Sequence, residues 1–387
     1  MFLDPYLLSV LVFALLIVAL IVKDRRKIER KVILFIRRTE KGRDLIDRVV
    51  SISPQFWKKV GALAAMIGFG GMIFGTIYIF LLIRNAISRG VAAQGISLVI
   101  PVPFNEPAVG TGFIGVPFWY WIISIALLVV VHEGMHGVIL RAHRIKIKSI
   151  GLLLLAIIPG AFVEPDEKDL KRRNWFVRLK VYAAGSFGNF LLAGLVFLIL
   201  QFWMVPAFYT SGVGFSGYFN GTEFGHPEPY PAQKVNLTGV ILEIDGERIR
   251  NFEDLSRFLG SRKPGDRVTV VTNTGEYSLT LERNPDGEGG FLGIANIYNT
   301  NVLRDDLRGT STGNILEWIF KLMVWVVVLN AGIGVVNLLP LKPLDGGLML
   351  ETFMERFFPE YAEDAVRFSS AFILTLIISY FLFTLLV

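Results

Sequence analysis

The densest chemistry in this sequence lies in five consecutive residues, His132-Glu133-Gly134-Met135-His136. On an α-helix, side chains four apart lie one above the other on the same face. Both imidazoles can therefore reach a single zinc ion, with Glu133 beside them to take a proton from metal-bound water. Cysteine is absent from the 387 residues, which excludes disulfides and thiolate ligands. Any metal must then be held by His, Asp or Glu, and the histidines are four: His132, His136, His143 and His226. His143, in the basic stretch RAHRIKIK, reads as a solvated or lipid-headgroup contact, and His226, in GHPEPYP, as a loop residue.

The motif follows the apolar run Phe118 to Val131. Ionisable groups near a membrane interior cost roughly 2.5–3.5 kcal/mol each at mid-helix, so a functional reading is the default there. A catalytic zinc usually has three protein ligands and one position open to water. Asp345, in Asn337-Leu-Leu-Pro-Leu-Lys-Pro-Leu-Asp-Gly-Gly347, is the outstanding candidate for the third, because it follows a later apolar run immediately. Gly346 and Gly347 permit close backbone approach or positive φ. An Asp-Gly pair also suits a helix cap or a turn, and Asp345 taken alone fits that role as well.

Six apolar runs have the length to hold these groups in a bilayer: Tyr6–Val22, Val60–Ile83, Phe118–Leu140, Val181–Met204, Ile315–Leu338 and Phe368–Val387. With 53% hydrophobic residues, 19% charged and a mean hydropathy of +0.53, the composition belongs to a membrane protein. The net charge of +6 sits beside the apolar runs, as expected at an anionic lipid surface, and does not point to nucleic acid. The linkers Lys23–Lys59 and Arg141–Lys180 are strongly basic, whereas Asn85–Pro117 carries only Arg89. The positive-inside rule places the two basic linkers in the cytoplasm and both termini outside. The stretch Ala207–Gly313 is then extracytoplasmic. It reads as short strands (Gly239–Ile244, Arg267–Thr272, Tyr277–Leu281, Phe291–Ile294) around a helix, Asn251–Leu259, with turns at Asp245-Gly246 and Asn273–Gly275. Ile150–Val163 is apolar but too short to span, and Pro159-Gly160 breaks a helix there.

HEGMH in one spanning segment and NLLPLKPLDGG after a later one resemble the site-2 protease family of intramembrane zinc metalloproteases. Gly185-Ser-Phe-Gly-Asn189 resembles a third signature of that family, and the insert around Gly239–Ile249 resembles a PDZ domain. The resemblance covers about Phe118 to Leu350. It implies one zinc ion held by His132, His136 and Asp345, and Glu133 as general acid and base. It also implies that Asn189, Asn337 and Gly185 lie near bound substrate or the oxyanion, and that Ile150–Val163 is a re-entrant β-hairpin able to pair with an unwound substrate. Lys342, where an apolar residue or Pro is common, departs from the pattern.

The expected fold is a polytopic α-helical membrane protein of about six spans, with a small mixed α/β PDZ-like domain between the fourth and fifth. The expected domains are 1–117 (N-terminal helices and basic linker), 118–206 (first half of the protease core), 207–313 (PDZ-like) and 314–387 (second half of the core). The expected activity is hydrolysis of peptide bonds within or beside the spanning segments of membrane-anchored proteins, which would be its partners together with the bilayer and a peptide at the PDZ-like module. A catalytically silent PDZ-bearing membrane scaffold is the alternative.

Overall fold

A computed structural model describes residues 4–26, 28–31, 34–39, 41–89, 97–110, 112–155, 158–219, 228–285, 287 and 289–386, and His226 lies outside these. Six helices are long and apolar enough to cross a membrane: Pro5–Lys23, Pro54–Ser88, Phe118–Ala142, Trp175–Phe208, Ser311–Asn337 and Pro359–Thr384. Each contains or overlaps one of the six apolar runs. The first starts where Asp4 accepts a hydrogen bond from the Tyr6 amide (3.0 Å), with Pro5 at the first helical position.

In chain order the elements begin α1 (Pro5–Lys23), β1 (Glu29–Lys31), β2 (Leu34–Thr39), α2 (Lys41–Ile52) and α3 (Pro54–Arg89). They continue with β3 (Leu98–Val102), β4 (Ala108–Gly110), β5 (Phe113–Pro117), α4 (Phe118–Ala142), β6 (Ile147–Leu155), β7 (Ile158–Pro165), α5 (Glu167–Lys171) and α6 (Trp175–Ile199). After a π-helical turn come α7 (Val205–Phe208), β8 (Tyr209–Tyr218), α8 (Pro231–Lys234), β9 (Ile241–Ile244), β10 (Glu247–Arg248), α9 (Phe252–Ser261), β11 (Arg267–Thr272) and β12 (Glu276–Thr280). The last are β13 (Glu282–Arg283), β14 (Gly290–Phe291), β15 (Ile294–Leu303), α10 (Ser311–Asn337), α11 (Asp345–Phe357) and α12 (Ala362–Leu386). The chain divides into two compact units, residues 1–197 with 321–387, and residues 198–320.

In the first unit, the stretch read as a basic linker contains β1, β2 and α2. These elements join the apolar hairpin in a four-stranded sheet of order β1-β2-β6-β7. Ile150–Val163 is indeed two paired strands, with Ile150 opposite Val163 and Leu154 opposite Pro159. Pro159 is tolerated because β7 is an edge strand. A bidentate ion pair, Arg141 Nε to Asp47 Oδ1 (2.5 Å) and Nη2 to Oδ2 (3.1 Å), fastens α2 to α4. Ile46 and Val50 of α2 pack there into a cluster with Ile139, Leu140 and Ile145. Another small sheet, β3-β5-β4, occupies part of Asn85–Pro117, where the sequence signalled no strands.

Of the two roles expected for His143, a solvated or a lipid-headgroup contact, the solvated one does not hold. His143 is the C-cap of α4, with a buried Nε2 that has no hydrogen-bond partner among the described residues. Burial, and then the charges of Lys180, Lys58 and Arg173, push its pKa down to about 4, so it is neutral at physiological pH.

Glu164 ties three strands together. It accepts from Lys148 Nζ (2.8 Å) and Ser149 Oγ (2.6 Å) of β6 and from Arg38 Nη1 (2.8 Å) of β2. The Lys148, Ser149 and Arg38 donors together lower its pKa from 4.5 to about 2. A lowered folded-state pKa contributes stability that is complete above the unfolded value and is lost as pH falls through the folded one. Protection of the β6 and β7 amides, relative to their intrinsic exchange rate at each pH, is therefore expected to fall between about pH 4.5 and 2, and Glu164→Gln to remove that acid step. An identical acid profile in the variant would show that other carboxylates hold the sheet.

The second unit is a sheet of order β12-β11-β9-β8-β15, with β10 pairing β9. Asp245 and Gly246 turn the β9–β10 hairpin with φ of +51° and +82°, the backbone that a two-residue Asp-Gly turn needs. Asn251 caps α9 by accepting from the Asp254 amide (2.8 Å). Leu255 and Phe258 of that helix are buried in one cluster with Ile241, Ile244, Val268 and Val270. The long strands β8 and β15, paired from Tyr209–Leu303 to Tyr218–Ile294, were not legible in the sequence.

Candidate active site

α4 puts His132 and His136 one turn apart, with ring centroids 4.8 Å apart and Nε2 atoms 3.1 Å apart. Asp345 arrives from the first residue of α11, after an extended Leu344 at the cap. The cap itself is Leu344, so the carboxylate of Asp345 is left to reach the imidazoles. Its Oδ2 lies 3.2 Å from His132 Nε2 and 3.5 Å from His136 Nε2. Gly346 and Gly347 make this approach possible through close backbone contact. A Cβ at Gly346 would overlap the carbonyls of Leu338 and Leu339, and one at Gly347 the backbone at Leu341 and Lys342. Neither glycine has positive φ.

Three lone-pair donors thus converge with edges of 3.1, 3.2 and 3.5 Å. Tetrahedral zinc with ligand bonds of about 2.0–2.1 Å requires edges of about 3.3 Å. The triad is almost buried, and Asp345 Oδ2 has no hydrogen-bond partner among the described residues. These three residues could hold a metal ion, and donor type, spacing and burial all fit zinc. Each imidazole is held from behind. His136 Nδ1 meets the Val181 carbonyl at 2.7 Å, so Nδ1 carries the proton and Nε2 presents its lone pair. His132 Nδ1 meets the Asn189 side-chain amide at 3.1 Å. With Nδ1–H as donor, the amide must turn its oxygen toward the ring, which also satisfies the Asn189 Oδ1 otherwise left buried and unpaired.

Glu133 faces a cleft of about 410 Å³, lined by His132, Pro159, Ala161, Asn337 and Asp345 among others. Its Oε2 accepts the Val163 amide of β7 at 2.9 Å. Asn337 ends α10 on the cleft wall. Asn189 is wholly buried behind His132. Gly185 lies against the two imidazoles, where a Cβ would overlap both Nε2 atoms. Lys342 is turned away into an ion pair with Glu351 (2.6 Å). The backbone groups of Val163 and Val181 escaped sequence reasoning, since a backbone N–H or C=O has no residue signature.

A two-histidine, one-carboxylate cluster with an adjacent glutamate, set among six spanning-length helices, defines a metal-dependent hydrolase of the membrane. Residues 120–377 match the model of peptidase family M50, and the chain belongs to that family, the site-2 proteases. It is accordingly a metalloprotease by class, and its zinc dependence and multi-pass membrane character follow from the family and the apolar helices. An uncharacterized protein of Methanocaldococcus jannaschii is 26% identical over 352 residues, 89% of this chain and 85% of its own length. A Fusobacterium nucleatum protein, provisionally named a zinc metalloprotease, is 24% identical over 60% of this chain and 87% of its own. Zinc metalloprotease RasP of Geobacillus kaustophilus is 23% identical over 49% of this chain, which spans about half of that relative (52%).

Proposed function

We propose that the chain is an intramembrane zinc metalloendopeptidase that cuts membrane-anchored proteins within or next to their spanning segments. The observation that carries this reading is the near-equilateral triangle of His132, His136 and Asp345 with Glu133 at its side. In this reading the three residues hold one zinc ion. Bound there, zinc supplies Lewis acidity toward the scissile carbonyl and an acidified water. Glu133 removes a proton from the attacking water and delivers it to the leaving amine, while Val163 N–H holds the carboxylate in place.

A helical substrate hides its carbonyls in internal hydrogen bonds, so it must unwind before it is cut. The free edge of β7 offers replacements. Val163 N–H, already given to Glu133, points away from β6, and by the two-residue alternation so do the N–H and C=O of Ala161 and the C=O of Pro159, which are the groups left for a substrate. An extended substrate segment pairs there by strand addition, in the cleft that Asn337 also lines. The division into 1–117, 118–206, 207–313 and 314–387 belongs to this reading. So does an extracytoplasmic PDZ-like 207–313, with the active site toward the cytoplasm, as the basic linkers favour.

Asn189 acts through His132 as a positioning residue. Asn189→Leu is expected to weaken zinc binding about 10- to 100-fold, and Asn189→Asp, which keeps an acceptor on Nδ1, to retain most of it, read by competition with a chelator. Equal affinity in the Leu variant would return Asn189 to a substrate role. The function itself is tested with membrane-anchored reporters in proteoliposomes. Chelator-sensitive products with ends inside or beside the reporter's span are expected; cuts confined to distant soluble regions would refute the intramembrane reading.

A further inference from the structure

α2 carries more apolar surface than the protein covers. At 100° per residue, Leu45, Ile46, Val49, Val50 and Ile52 fill an arc of about 160°. Ile46 and Val50 are buried against α4, but Leu45 is 65% exposed, Ile52 84% and, at the start of α3, Phe56 54%. The helix cannot roll to hide them. The Arg141–Asp47 ion pair fixes it to α4, and Trp57 Nε1 donates to the Val49 carbonyl (3.0 Å). Beside this strip, Arg48, Lys58 and Lys59 are exposed and have no carboxylate partner among the described residues. After them α3 continues into a segment of spanning length.

We propose that the α2–α3 corner is a docking surface for anionic lipid. α2 lies in the plane of the bilayer surface, with Leu45, Ile52 and Phe56 at the acyl boundary and Arg48, Lys58 and Lys59 on lipid phosphates. An apolar strip flanked by unpaired cations, at the point where a spanning helix begins, fits that partner better than a protein surface. The consequence is mechanical. α2 follows β2 closely in sequence and β2 pairs with β6, so seating α2 holds the four-stranded sheet, and the β7 edge beside Glu133, at a set depth. That consequence rests on the protease reading; the lipid seat does not.

The absence of cysteine makes Ile52→Cys a unique labelling site in the full chain. With an environment-sensitive dye at 52, vesicles containing phosphatidylglycerol are expected to give blue-shifted emission, quenching by shallow nitroxide lipids and protection from aqueous iodide. The same dye at Ser51→Cys, on the polar face, should stay open to iodide. Replacing Arg48, Lys58 and Lys59 by Gln should shift the ratio of seated to free helix by about fivefold per residue. Iodide access at 52 in these vesicles overturns the proposal. So does protection from iodide without quenching by nitroxide lipid, which would mean a protein covers the strip. Equal quenching in pure phosphatidylcholine overturns the anionic preference. None of these readouts involves cleavage, so failure here is distinct from failure of the protease reading.

Discussion

Glu133→Gln is expected to bind zinc as tightly as the wild type and to cleave about 10²- to 10⁴-fold more slowly. The amide oxygen of Gln can still accept from Val163 N–H, so the hydrogen bond between α4 and β7 survives. The side chains of His132, His136 and Asp345 are untouched. What disappears is a group able to take a proton, so the loss falls on turnover and leaves metal content alone. The measurement is paired: metal stoichiometry by elemental analysis, and the initial rate on a membrane-anchored reporter. A variant with full zinc and at least a tenth of the wild-type rate would remove Glu133 from the role of base. One that had lost its zinc would make Glu133 a structural element of the metal centre.

A single methyl group at Gly185 should be nearly as damaging, by a different route. In Gly185→Ala the new Cβ would overlap Nε2 of both His132 and His136, the two atoms that must face a metal. Neither ring can swing clear without breaking the bond from His136 Nδ1 to Val181 O or the contact between His132 Nδ1 and Asn189. The alternative is for α6 to retreat from α4, an overpacking strain of about 1–3 kcal/mol. Zinc affinity is therefore expected to fall by at least tenfold, with cleavage falling in step. Gly188 and Gly194 provide graded controls. A Cβ at Gly188 meets Met135, a flexible side chain that can move aside, whereas at Gly194 nothing lies within 4 Å. Gly194→Ala should be harmless or slightly stabilising, since Ala is favoured over Gly in a helix by roughly 1 kcal/mol. Wild-type zinc affinity in Gly185→Ala would mean the imidazoles have room that this packing denies them.

These two residues mark how far the sequence could be read. The family resemblance placed Gly185 and Asn189 near bound substrate or the oxyanion. The structure adds what the resemblance did not carry: Gly185 lies against the imidazoles and Asn189 is buried behind His132, because α6 packs on α4 through its small residues. The basic stretch 23–59 read as a linker because charge dominates it, yet β2 finds its partner in β6, more than a hundred residues on.

The sequence by itself determined what depends on near neighbours. Six helices follow from apolar runs, because a helix makes its hydrogen bonds within itself. The facing of His132 and His136 follows from a four-residue spacing, and the Asp245-Gly246 turn from the tolerance of Asp and Gly for positive φ. The tertiary structure alone decided the rest. Asp345 comes within 3.5 Å of an imidazole 209 positions away because Gly346 and Gly347 let α11 start against the backbone of Leu338–Lys342. Val163 N–H and Val181 C=O orient Glu133 and His136 as backbone groups, for which any residue would serve. Strand pairing and helix packing bring such groups together across long separations, and no local pattern in the chain encodes those distances.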